Sequence, residues 1–166
     1  MTKQLTHSEI ENKISSDEII IVADNLRSPE NIGMLFRVAE GFGVTRVILI
    51  GDSPNLSNRK VKRTARSTEE NISIETYIDS EEIINSLKKE NYHLIGLEIT
   101  NTSIVLKEFN FTKYSKIALF IGNERNGINS EILKKLNDTV HFDLYGKNSS
   151  INVINALSVG LYEIKR

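Results

Sequence analysis

Leu144-Tyr-Gly-Lys-Asn-Ser-Ser-Ile-Asn-Val-Ile-Asn-Ala-Leu-Ser-Val-Gly160 decides how the rest of the chain is read. Its first half, Leu144 to Ser149, is a polar loop carrying Gly146. From Ser150 the pattern turns helical, with Ser149 or Ser150 available to cap the first turn. Ile151, Val153, Ile154, Ala156, Leu157, Val159, Leu161 and Ile164 go round the helix instead of forming one stripe. A helix apolar all round must be covered on every side, by its own domain or by a partner. Asn152, Asn155 and Ser158 recur among these residues, and a buried amide needs a hydrogen-bond partner. Taken alone, the segment reads first as a C-terminal core helix with satisfied asparagines, and second as a polar loop held by a buried helix.

The chain before this segment alternates strands and helices. Glu18 to Ala23 is an unbroken β-branched run, the mark of a strand buried on both faces. Ser28-Pro29-Glu30 is a helix start, with a cap, a first-turn proline and an acid near the positive end of the dipole. Ile32, Leu35, Phe36 and Ala39 make that helix's stripe, and Gly41 and Gly43 end it. Thr45–Ile50, Ile72–Thr76, Tyr92–Leu97, Lys116–Ile121 and Thr139–Asp143 are expected strands. Ser80–Glu90 and Asn129–Leu136 are expected helices. Thr6 to Glu9 has capping-box spacing and opens a short helix with Ile10 and Ile14. The stretch from Gly51 to Asn71 reads as polar and partly irregular. These elements predict an α/β domain over residues 1–166, a mainly parallel sheet of five or six strands with helices on both faces. Residues 1–18 form a short extension, and no separate RNA-binding domain is expected.

Composition narrows the function. The chain has 166 residues, a net charge of −1 and no cysteine, which rules out disulfides, thiolate metal sites and thiol nucleophiles. No apolar run is long enough to span a bilayer and no signal-peptide pattern is present, so a cytoplasmic location is expected. His7, His93 and His141 lack metal-ligand spacing, and no metal is expected. In parallel sheets ligands sit beyond the carboxyl ends of the strands, so the polar loops 24–31, 122–127 and 144–149 are where chemistry is sought. Gly122-Asn-Glu124-Arg-Asn-Gly127 brackets an acid with two glycines, which permit a close backbone approach to a ligand; a plain tight turn explains it equally. Neither a P-loop nor a dinucleotide fingerprint is present. Arg59, Lys60, Lys62, Arg63 and Arg66 form the densest basic cluster, a solvated face or a phosphate footprint on an otherwise near-neutral chain.

Together the three loops are more specific than any one of them. Asn31 followed six residues later by Arg37, then G-N-E-x-x-G from Gly122 to Gly127, then G-x-x-x-S-x-N-V from Gly146 to Val153, resembles the three motifs of the SPOUT-class RNA ribose methyltransferases, the TrmH/SpoU family. Thr64 to Glu69 also resembles the family's loop after the second strand. The resemblance runs from Ile19 to the end. It implies a C-terminal trefoil knot, S-adenosyl-L-methionine as cofactor, a homodimer through the last helix, and transfer of a methyl group to a ribose 2′-hydroxyl of tRNA or rRNA. Carried onto this sequence, Leu97, Ile121, Gly122, Leu144, Gly146, Ser150, Ile151 and Asn152 would enclose the cofactor. Arg37, Asn31, Glu124, Ser150 and Asn152 match the active-site positions, and the cluster Arg59 to Arg66 would meet RNA. Arg37 would stabilise the developing alkoxide, because a guanidinium stays protonated at neutral pH. Glu98, Arg125, Asn126 and Asp143 depart from the family's pattern and leave the pocket's shape and the substrate open. The alternatives are an inactive RNA-binding protein on the same fold, a base-methylating enzyme of this class, and a generic nucleotide-binding α/β protein without a knot.

Overall fold

The computed structural model of the chain describes residues 2–12 and 17–166. Strands β1 (Glu18–Asp24), β2 (Arg46–Ile50), β3 (Ser73–Tyr77), β4 (His93–Leu97), β5 (Ile104–Val105), β6 (Lys116–Ile121) and β7 (Asp138–His141) form one parallel sheet in the order β3-β2-β1-β6-β4-β7-β5. The sheet has seven strands, not five or six. The additional one, Ile104–Val105, is two residues long and pairs with β7 at the sheet's edge. Its pairing partner, and not any run of apolar residues, makes it a strand.

Period-two alternation explains why β1 is apolar throughout. Ile19, Ile21 and Ala23 belong to one core cluster with Ile32, Leu35 and Phe36 of α1 (Pro29–Gly41) and Ile154, Leu157 and Leu161 of α5 (Val153–Lys165). Ile20 and Val22 belong to a second cluster with Ile83, Ile84 and Leu87 of α3 (Ser80–Lys89) and Ile132 of α4 (Ser130–Leu133). The chain builds β2 and β3 outward from one side of β1, then crosses to build β4 beyond β6. The change of direction leaves the carboxyl ends of β1 and β6 side by side, the usual place for a ligand cleft.

Three expected helices change their limits or character, and one helix was not expected. The Gly51–Asn71 stretch contains a true helix, α2 (Arg59–Ala65), whose N-cap Asn58 accepts a hydrogen bond from Lys60 N at 2.9 Å. Only Val61 and Ala65 of α2 are buried, so its composition looks irregular although one side packs on α1. The two helices approach closely at Gly33, where a Cβ would lie 2.7 Å from Thr64 Cβ. Helix α4 stops at Leu133, not Leu136. Helix α5 starts at Val153, three residues later than Ser150; Asn152 caps it, its Oδ1 accepting from Ile154 N at 2.8 Å. Nor is α5 covered all round within one chain. Ile154, Leu157, Gly160, Leu161 and Ile164 are buried, while Val159 is 41% and Tyr162 64% exposed. Near the N-terminus Glu9 accepts from Thr6 N at 2.8 Å, the capping-box bond, but only a 3-10 turn, His7–Glu9, follows. Ile14 lies outside the described residues. Among the described residues no helix is long and apolar enough to cross a membrane.

Candidate active site

Three loops meet at the carboxyl ends of β1, β6 and β7, and hydrogen bonds tie them together. Ser28 Oγ caps α1, accepting from Asn31 N at 3.2 Å, which places Asn31 in the first turn of the helix. Asn31 Nδ2 donates to Glu124 Oε1 at 2.8 Å, and Ser28 N donates to the same oxygen at 3.1 Å. Asn31 Oδ1 accepts from Asn152 Nδ2 at 3.1 Å. One asparagine therefore joins the glycine loop to the cap of the final helix across 93 and 121 residues of sequence. Partial burial works to raise the Glu124 pKa, but hydrogen bonds from its own main chain, from Asn31 and from the N–H groups of Ser28 and Arg27 outweigh it. The carboxyl is held below its ordinary 4.5.

The loop itself is tightly closed. Asn123 N and Gly127 O, and Gly127 N and Asn123 O, bond at 3.0 Å, and Gly127 takes φ +67°. A methyl group on Gly122 would overlap the backbone of Gly127 and Ile128. Asn123 Nδ2 donates to Asn25 O at 2.6 Å, a second tie to the β1 loop. Glu98 receives Ile128 N and Ile99 N, both at 3.0 Å, fixing the end of β4 to the same turn.

Beside this junction lies a cleft of about 560 Å³. Leu97, Gly122, Leu144, Ser150, Ile151 and Asn152, six of the eight residues expected to enclose the cofactor, line it. Phe142, Val153 and Ala156 add apolar wall, and Glu98 and Glu124 add two carboxylates. Two expected residues are elsewhere. Ile121 is buried in the core one residue behind Gly122, and Gly146 is exposed, with nothing within 4 Å of where a Cβ would sit. Of the expected catalytic set, Asn31, Glu124, Ser150 and Asn152 gather at the junction or the cleft. Arg37 does not. It is exposed on α1, lines neither this cleft nor its neighbour, and makes no hydrogen bond or ion pair with a described residue.

The basic residues lie on α2 and just after it. Arg59, Lys60, Lys62, Arg63 and Arg66 are all exposed, and Lys60 pairs with Glu30 of α1 at 3.2 Å. Sequence reasoning missed Asp24, Asn25 and Asn123 as site residues. Asp24 is 3% exposed, accepting from Asn129 N at 2.8 Å, and Asn25 takes φ +51°. A polar Asp-Asn pair closing an apolar strand was the available signal, since asparagine tolerates the left-handed turn that ends it.

A parallel sheet whose carboxyl ends carry a glycine loop, an asparagine-capped return helix and a cleft between them defines an α/β domain with a candidate ligand cleft. The family profile of the SpoU rRNA Methylase family matches residues 18–162, and the chain belongs to that family. It is 24% identical over 160 residues to the 23S rRNA (guanosine(2553)-2′-O)-methyltransferase RlmP of Bacillus subtilis, covering 93% of this chain and 61% of that one. It is 30% identical over 156 residues to an uncharacterized tRNA/rRNA methyltransferase of Borreliella burgdorferi, covering 93% and 66%. The chain thus spans less than two thirds of the length of these relatives. Its fold matches the SpoU methyltransferase AviRb of Streptomyces viridochromogenes, solved with AdoMet, at TM-score 0.82 and 23% identity over 91% of this chain and 60% of that one. A structure described as bearing on the 2-OH methylation of C/U34 on tRNA matches at TM-score 0.81 and 22% identity, covering 92% and 97%.

Proposed function

We propose that the protein transfers a methyl group from S-adenosylmethionine to a ribose 2′-hydroxyl of structured RNA, tRNA in the first instance and rRNA otherwise. The observation that carries this reading is the Glu124–Asn31–Asn152 hydrogen-bonded chain at the mouth of the cleft. Names of relatives agree with it: RlmP and the mouse tRNA (guanosine(18)-2′-O)-methyltransferase TARBP1, 30% identical over 155 residues, are both 2′-O-methyltransferases. A cytoplasmic site of action accords with RNA as substrate.

The cleft's residues fit the cofactor. Leu97, Phe142, Leu144, Ile151 and Ala156 would hold an adenosine by apolar contact, and the carboxylates of Glu98 and Glu124 favour a cationic sulfonium nearby. When bound there, S-adenosylmethionine supplies the methyl group and leaves as a neutral thioether. Ionised Glu124 can only accept hydrogen bonds, so its task is to orient Asn31 and Asn152. Ser150 lines the cleft with Asn152 and would position the ribose or donor. The Arg37 guanidinium would stabilise the negative charge developing on the ribose oxygen. The hydroxyl proton would pass to a phosphate of the RNA or to solvent.

Two further parts of the reading concern architecture. The final segment leaves β7, returns across the ends of β4 and β6, and joins Asn31 beside β1. This path supports a C-terminal trefoil knot, with helices on both faces of the sheet. The exposed Val159 and Tyr162 on α5 support a homodimer through that helix. A second subunit there would supply the cover that α5 lacks and a surface to close near Arg37.

The isolation of Arg37 in the single chain favours a second reading, an RNA-binding protein on this fold without turnover. Labelled methyl transfer to total cellular RNA separates the two. Expected is incorporation resistant to alkaline hydrolysis at the adjacent phosphodiester. Absence of incorporation, with the cofactor bound, would give the second reading; incorporation without that resistance would make the enzyme a base methylase. Sedimentation tests the dimer: Val159→Lys with Tyr162→Lys is expected to sediment as a monomer.

A further inference from the structure

A second cleft, of about 850 Å³, adjoins the first along the loop 123–127. It lies between the ends of β1 and β6, and its volume is in the range that holds a small-molecule ligand of nucleotide size.

Most of its acceptors are already committed to the protein; the exposed Asn126 carboxamide is the exception among the described residues. Asp24 accepts from Asn25 Nδ2 at 2.9 Å and Asn129 N at 2.8 Å. Asn25 Oδ1 accepts from Asp52 N at 3.2 Å, and Asn123 Oδ1 from Arg125 N at 2.9 Å. Glu124 is held by Ser28 and Asn31. The cations of the lining are unspent. Arg27 and Arg125 are exposed, and neither guanidinium makes an ion pair or hydrogen bond with a described residue. One unpaired surface arginine is ordinary. Two, from different loops, lining a single concavity whose carboxylates are hydrogen-bonded to side-chain amides and backbone N–H groups, present planar donors that no described residue receives. Guanidinium groups in that state suit a phosphate oxygen pair.

We propose that Arg27 and Arg125 clamp the phosphodiester adjoining the target ribose, so that this cleft seats the ribonucleotide to be modified while the neighbouring cleft seats the methyl donor. The inference rests on the methyl-transfer reading for the identity of the reaction, but the phosphodiester site itself can be tested without turnover. The loop 123–127 is wall to both clefts and would set the distance between sugar and donor. This function differs from that of α2, which offers a charged face outside both clefts.

The test uses the full chain and a mixed-sequence ribodinucleotide carrying one phosphodiester, observed through the arginine Nε–H resonances. Shifts at Arg27 and Arg125 are expected, together with their loss in R27A/R125A and in a dinucleotide whose phosphodiester is replaced by a neutral methylphosphonate. Equal binding of the neutral analogue, shifts confined to other arginines, or saturation by inorganic phosphate that leaves no added affinity for the dinucleotide would each overturn the proposal. In turnover on total RNA, each single alanine variant is expected to lower kcat/KM about tenfold, as removal of a charge-assisted hydrogen bond does, with melting temperature unchanged in both and S-adenosylmethionine affinity unchanged in R27A, whose side chain lies outside the donor cleft. Wild-type kcat/KM in R27A/R125A, in an enzyme that does methylate RNA, would defeat the clamp and leave the methyl-transfer reading intact. A wild-type protein that binds the dinucleotide through these arginines yet transfers no methyl group would defeat the reading and leave the clamp.

Discussion

The loop junction and the α1–α2 face hold similar polar side chains in opposite states. At the junction Glu124, Asn31 and Asn152 are bonded to one another and to the backbone. On the α1–α2 face Arg37, Arg59, Lys62, Arg63 and Arg66 have no partner among the described residues. On the proposed function, the difference separates what holds the site from what would meet the substrate. A hydrogen-bonded network fixes geometry because leaving one member unpaired is costly. An unpaired surface cation contributes little to stability and is free to answer an external anion. Arg37 belongs to the junction by its expected role and to the open face by its state.

The strongest way to break the junction is Gly122→Ala. The added methyl group would overlap the backbone of Gly127 and Ile128, so the loop must move. Overpacking of this kind costs about 1–3 kcal/mol, and the moved loop is the wall of both clefts. Loss of S-adenosylmethionine binding by calorimetry and a lowered melting temperature are expected; unaltered affinity would show that the loop does not shape the donor site.

Arg37→Ala probes the open face with the next largest effect. Turnover should fall on the order of a hundredfold, the scale for removing a donor that stabilises developing charge. Melting temperature and cofactor affinity should not move, because the Arg37 guanidinium makes no hydrogen bond or ion pair with a described residue. A concomitant loss of stability would instead place Arg37 among the structural residues.

Acid offers a milder test of the junction. Glu124 is held below 4.5, so its hydrogen bonds contribute above that ordinary value and are lost as pH falls through the lower folded value. The chain Glu124–Asn31–Asn152 should therefore stay closed down to pH 4.5, and a Glu124 carboxyl carbon shift followed by NMR should titrate only below it. Titration above 4.5 would mean that the Asn31 and Ser28 bonds do not persist in solution.

How much of this was legible depends on where the information resides. β1 was readable because Ile19 to Ala23 is apolar on both faces, and burial on both faces is what its central position demands. β5 was not, because Ile104 and Val105 become a strand only when β7 arrives beside them. The start of α5 was misread for a related reason. Ser149 and Ser150 are competent caps, but Asn152 is fixed by Asn31, a partner 121 residues away, and that bond sets where the helix begins. Helix α2 hid behind its charges, since only Val61 and Ala65 face inward. At the site, residue types and order pointed to Asn31, Glu124, Ser150 and Asn152, whereas Asp24 and Asn123 serve through backbone contacts that no spacing records.

The smallest effect on turnover is expected from α2, and it sharpens the comparison most finely. The basic residues are not equivalent: Lys60 pairs with Glu30 at 3.2 Å, and a hydrogen bond from Glu30's own main chain, then that pairing, hold the Glu30 carboxyl below its ordinary value. An RNA phosphate must compete with Glu30 for Lys60 but not for Lys62, Arg63 or Arg66. Replacing Lys62, Arg63 and Arg66 by alanine should therefore weaken RNA binding and reduce the salt slope by about 0.7–0.9 for each phosphate no longer neutralised. Replacing Lys60 alone should change the slope by less. At saturating RNA kcat should remain at its original value, because these side chains line neither cleft. If the Lys60 variant lost as much slope as any of the three, the ion pair with Glu30 would not survive in solution. If the triple variant lost none, the unpaired face would have no part in RNA binding, and the cations that matter would be those lining the clefts.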